Sequence, residues 1–64
     1  MLETHYISSP EIESISYDFE IKELLVCFRN RNEKRFSNIK REIYTSLMQS
    51  RSKTDFIRKL IRFD

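Results

Sequence analysis

The chain has 64 residues, one cysteine, no glycine and a formal net charge of +2. That length excludes more than one small core, a lone Cys27 excludes an intramolecular disulfide, and no apolar run approaches the roughly 20 residues that a membrane-spanning helix needs. The charge is divided along the chain, with a net of −5 over residues 1–28 and +7 over residues 29–64, an asymmetry that suits either an anionic partner for the second half or pairing between the halves.

The N-terminal Met-Leu-Glu-Thr-His lacks the basic-then-apolar order of a secretory signal, so a cytoplasmic, reducing setting is expected. Residues 1–9 read as a flexible or extended arm. After Pro10 the alternation Ile15-Ser16-Tyr17 gives a first strand with Ile15 and Tyr17 on one face. Asp18 to Lys22 is a connection. Glu23 to Arg29 is the strongest strand: Leu24, Val26 and Phe28 share one face, while Leu25 and Cys27 point to the other. Apolar side chains on both faces predict cover on both, from within the chain or from a second subunit. The Cys27 thiol is expected to be buried.

Arg29 to Glu33 is a turn. Without glycine, any position of positive φ is expected to fall to Asn30 or Asn32. Lys34 to Ser37 then forms a third strand. From Lys40 the period changes: Ile43, Tyr44, Leu47 and Met48 occupy one helical face. Ser52 and Asp55 have the spacing of a capping box, and Phe56, Ile57, Leu60 and Ile61 form the apolar stripe of a second helix with Arg58, Lys59 and Arg62 outside. The expected fold is α+β: a three-stranded antiparallel meander followed by two short helices packed on one face.

The chemistry of catalysis finds few groups. His5 is the sole imidazole, so a histidine-based triad could be built only from the N-terminal arm, and the donors for a metal cluster, His5 and Cys27, are too few. No enzyme activity, metal or cofactor is expected. Glycine-loop phosphate cradles are excluded for want of glycine. A phosphate site would have to use side chains, and Arg58 and Arg62 stand one turn apart on the second helix, where arginine forks bind phosphate oxygens in pairs. A solvated helix face is the alternative reading of the same two residues.

With its elements in this order, the chain resembles the KTSC domain, a short bacterial module named for its place at the C-terminus of some lysyl-tRNA synthetases. The resemblance spans roughly residues 8–62. It rests on Ser8-Ser9, on Ile15-Ser16-Tyr17-Asp18, on Leu24, Val26 and Phe28, and on a gapless second half in which Tyr44, Leu47, Ser52, Ile61 and Arg62 match in identity. Phe36, Ile39 and Phe56 match in character. Lys34, Lys40, Thr54 and Arg58 depart from the family pattern, standing where it has tyrosine, proline, glycine and asparagine. The resemblance implies the fold more firmly than the function, and the partner it points to is RNA.

The expected function is therefore that of a non-enzymatic, homo-oligomeric binding protein for a phosphate-bearing ligand, RNA or a small nucleotide. Arg35, Arg58 and Arg62 are the expected ligand-binding residues, with Tyr17 offering a hydroxyl and Lys34 a further cation. Grooves between identical subunits would supply the concavity that a single small subunit lacks. The chain's size and style also fit a sequesterer of a nucleotide signal from a phage or other mobile element. The alternative is an inhibitor or adaptor that binds a host protein through Leu2, Tyr6, Phe19, Ile21 and Phe63, without nucleotide. No membrane partner is expected.

Overall fold

Ile15, Tyr17, Leu24 and Val26 lie on one side of an antiparallel sheet and are wholly buried there, as the alternation requires. The computed structural model describes residues 2–63, with side chains through residue 61. Strands β1 (Leu2–Tyr6), β2 (Ile12–Asp18), β3 (Glu23–Phe28) and β4 (Glu33–Phe36) precede helices α1 (Arg41–Gln49) and α2 (Lys53–Phe63). The strands pair in chain order, each antiparallel to the next.

The sheet thus has four strands where the sequence predicts three. Residues 2–6 of the expected arm form β1, in register with β2 from Leu2 opposite Asp18 to Tyr6 opposite Ser14. This strand escapes a sequence reading because its own alternation is mostly polar: Glu3 and His5 face the helix side and Thr4 the other. Thr4 Oγ1 lies 2.9 Å from Ser16 Oγ, so the buried Ser16 side chain of β2 is matched by a hydroxyl across the pair.

Both helices lie on the Ile15–Tyr17 side. Tyr44 and Leu47 of α1 and Ile57 of α2 complete the core, with Phe36 and Ile39 closing its end. The helices cover one face, as expected. Leu25 and Cys27 are half-buried on the opposite, open face, which receives no cover from the described residues. Cys27 is accordingly not the buried thiol that its neighbours suggest, and its Sγ lies 3.5 Å from Glu33 Oε2.

Positive φ falls on Lys22 (55°), Arg31 (72°) and Asn38 (58°), not on Asn30 or Asn32. In the β3–β4 hairpin the Arg31 N–H donates to Phe28 C=O, and the Asn32 N–H donates to the Asn30 side chain. Asn30 is thereby used as an Asx turn, and the left-handed position passes to the next residue. Lys22 is held because its carbonyl accepts the Ile39 N–H at 2.9 Å. No helix among the described residues is long and apolar enough to cross a membrane.

Candidate functional site

A concavity lies between the β1–β2 loop and the start of α2. It measures about 450 Å³ and is lined by Tyr6 to Pro10 on one wall and Arg51 to Thr54 on the other. Ser9 organises the first wall. Its Oγ accepts the N–H groups of Glu11 (3.3 Å) and Ile12 (3.4 Å), turning the chain around Pro10. Arg29, from the neighbouring hairpin, donates to the carbonyls of Ser9 and Ile7 and fixes the loop's backbone.

The second wall follows from the short link between helices. Ser50 ends α1 with its N–H on Leu47 C=O. Ser52 caps α2: its Oγ accepts the Asp55 N–H at 3.3 Å and its carbonyl accepts from Phe56. The N–H groups of Lys53 and Thr54, in the first turn of α2, have no acceptor within the helix. Ser9 Oγ and Thr54 Oγ1 meet at 3.0 Å and join the two walls.

Two cations stand in this cleft and, among the described residues, no carboxylate lines it. Lys53 Nζ donates to Ser50 C=O at 3.2 Å, which holds its charge over the helix junction. Arg51 is exposed and makes no ion pair among the described residues. The Ser8 hydroxyl, whichever of the Ser9 and Thr54 hydroxyls does not donate within their own pair, two cations and a helix start are a donor set for an oxyanion.

The residues expected from sequence are not brought together. Tyr17 is fully buried and its hydroxyl donates to the Ile39 carbonyl, so it presents nothing to a ligand. Lys34 lies over the Phe36 ring, 6.0 Å from its centroid. Arg35 pairs with Glu23 at 2.9 Å on the open face of the sheet. Arg58 donates to both carboxylate oxygens of Glu11, at 3.0 and 3.3 Å, and lies 3.9 Å from Asp55. These are exposed pairs, of the kind that contributes little to stability, and they show the acidic and basic halves of the chain meeting across its surface. The side chains of Arg62 and Phe63 lie outside the described residues.

Sequence reasoning passed over Arg51 and Lys53. Their signal was the basic-Ser-basic run at a capping serine, which coincides in space with Ser8-Ser9 only once the fold is formed. A second group that it missed is Glu3. Its Oε1 accepts from His5 and, at 3.2 Å, from the Tyr44 hydroxyl. The His5 hydrogen bond, against a smaller opposing effect of burial, and the Tyr44 bond hold this carboxyl below its usual range.

Comparison with known proteins supports the architecture. A KTSC domain family model matches residues 8–63. A crystal structure of a KTSC domain protein from Yersinia pestis superposes with a TM-score of 0.82 at 24% identity, over 91% of this chain and 82% of that one. No curated protein sequence matches.

Proposed function

Because the chain belongs to the KTSC domain family, whose matched segment takes in the cleft residues Ser8 to Pro10 and Arg51 to Thr54, we propose that it is a self-associating, non-catalytic binding module for a phosphate-bearing ligand, RNA or a small nucleotide. The observation that carries this reading is the cleft: Arg51 and Lys53 flank a capped helix start and face the Ser8-Ser9 loop. Oriented N–H groups and flanking cations recognise phosphate oxygens without any glycine loop. The site differs from the one expected, since Arg35 and Arg58 are engaged by Glu23 and Glu11.

The test is titration of the protein with inorganic phosphate, a nucleoside triphosphate and a short oligoribonucleotide at two salt concentrations. A salt-sensitive thermal shift with a phosphate ligand supports the reading. Arg51→Ala with Lys53→Ala should weaken that binding well over tenfold, taking each charge-assisted contact at roughly 1.5–3 kcal/mol. Arg35→Ala and Arg58→Ala should leave it nearly intact. The absence of any shift, or a loss confined to the Arg35 and Arg58 variants, overturns the assignment.

A second reading, a protein-binding adaptor, draws on Leu2, Tyr6 and Ile21, which are 62%, 82% and 62% exposed. Leu2 and Ile21 border a shallow hollow on the open face with Leu25 and the Arg35–Glu23 pair. Phe19, by contrast, packs on the core, edge-on against Tyr17 and Tyr44. A module of this kind would bind its partner irrespective of phosphate and lose affinity on Ile21→Asp.

A further inference from the structure

β1 is an edge strand, and the alternation of the antiparallel ladder determines which of its backbone groups face outward. The Ile7 N–H donates to Glu13 C=O at 2.9 Å, which makes Ile7 and Glu13 a hydrogen-bonded pair. In the same register His5 with Ile15 and Glu3 with Tyr17 are then hydrogen-bonded pairs as well. The residues between them, Leu2, Thr4 and Tyr6, turn their N–H and C=O groups away from β2, toward the free edge.

The side chains of β1 are arranged symmetrically about its centre. Reversed and laid against itself around Thr4, the strand sets Leu2 opposite Tyr6, Glu3 opposite His5 and Thr4 opposite Thr4. We propose that two copies of the chain join along β1 in this register, forming one continuous sheet across a two-fold axis at Thr4. The proposal rests on the self-association in the reading above and goes beyond it by assigning the interface.

Three observations favour this occupant of the edge. The parity is right: the outward-facing backbone groups belong to Leu2, Thr4 and Tyr6, so Thr4 with its symmetry mate and Leu2 with the mate's Tyr6 are the hydrogen-bonded pairs. Glu3 and His5 then face their mates at the closer, non-hydrogen-bonded spacing, where side chains interact most. The chemistry also matches, because a carboxylate meets an imidazole twice, and the two exposed apolar residues of the strand, Leu2 and Tyr6, meet each other. Finally, β1 carries neither the lysine nor the proline by which edges are commonly protected. The opposite edge, β4, is four residues long and holds Lys34 and Arg35 side by side, so a second copy would meet like charge there. The two-fold also brings the mate's Leu2 beside Tyr6, at the rim of the cleft.

The experiment measures mass in solution across a concentration series, together with variants at the axis. The parent is expected at twice 7.9 kDa. Thr4→Pro removes an N–H that β2 does not use, so it should raise the dissociation constant by more than about tenfold. Thr4→Ala removes the hydroxyl facing Ser16 and the γ-methyl but keeps the backbone N–H, and should remain dimeric. In a Cys27→Ser background, Thr4→Cys should cross-link to its mate under mild oxidation, since residues opposite each other in a hydrogen-bonded pair lie about 5.5 Å apart, within the span of a disulfide. This second variant decides the matter should Thr4→Pro fail to fold. A dimer that forms without cross-linking at Thr4→Cys overturns the interface and leaves self-association standing. A monomer at every concentration overturns both.

Discussion

The rings of Tyr17 and Tyr44 lie face to face, 4.4 Å between centroids and 10° from parallel. The pair joins β2 to α1, and each hydroxyl leaves it in a different direction. Tyr17 donates to the Ile39 carbonyl and Tyr44 to Glu3. Phe19 closes the stack edge-on against both rings and lies beneath Arg41, whose guanidinium carbon is 5.1 Å from its centroid.

Tyr17→Phe keeps the stack and removes one donor, leaving the buried Ile39 carbonyl without that partner. A loss of about 1–3 kcal/mol is expected. Urea unfolding monitored by circular dichroism measures it, and the m-value should stay unchanged.

Tyr44 gives the fold a distinctive alkaline limit. Burial and then the Glu3 carboxylate push its phenol up to about 12 from an ordinary 10. The neutral phenol is favoured in the folded state, so its contribution is complete below about pH 10 and lost as the pH rises through about 12. The stability of the parent should therefore fall relative to Tyr44→Phe across that window, and a constant difference would contradict the linkage.

Leu47 is fully buried and Leu60 is only partly so. Leu47→Ala should cost about 2–5 kcal/mol, and Leu60→Ala distinctly less. Thermal unfolding of the two variants side by side checks the phase of both helices.

Arg31 holds a φ of 72° at the tip of the β3–β4 hairpin. Glycine carries no Cβ clash there, so Arg31→Gly should raise stability by roughly 0.5–1 kcal/mol despite the larger entropy of its unfolded chain. A fall in melting temperature would mean that the arginine side chain contributes more than its backbone costs.

The parts of this fold that could be read from sequence are those with strong apolar periodicity. Leu24 and Val26, Tyr44 and Leu47, and the Ser52 cap all stand where their spacing places them. β1 could not be read in this way, because Glu3, Thr4 and His5 are stabilised by pairing with β2 and by Tyr44, not by hydrophobic burial. The candidate site was harder still to read. Ser8-Ser9 and Arg51–Thr54 are more than forty residues apart, and the Ser9–Thr54 contact unites them. Arginines counted as free charge proved to have local acidic partners, since a sequence shows composition but not which carboxylate lies within reach.

A sheet whose strands pair only with their neighbours in the chain has a kinetic consequence. Each hairpin closes a short loop and no strand waits for a distant one, so the entropy of chain closure is met in small steps. Pairing between sequence neighbours is associated with faster folding than pairing between distant strands. The ties that span the chain, from Ser9 to Thr54 and from Glu11 to Arg58, separated by 45 and 47 residues, can form only after the meander exists. The second helix is thus the natural last element to dock and the first to leave, and hydrogen exchange should begin there while the three central pairings are still intact.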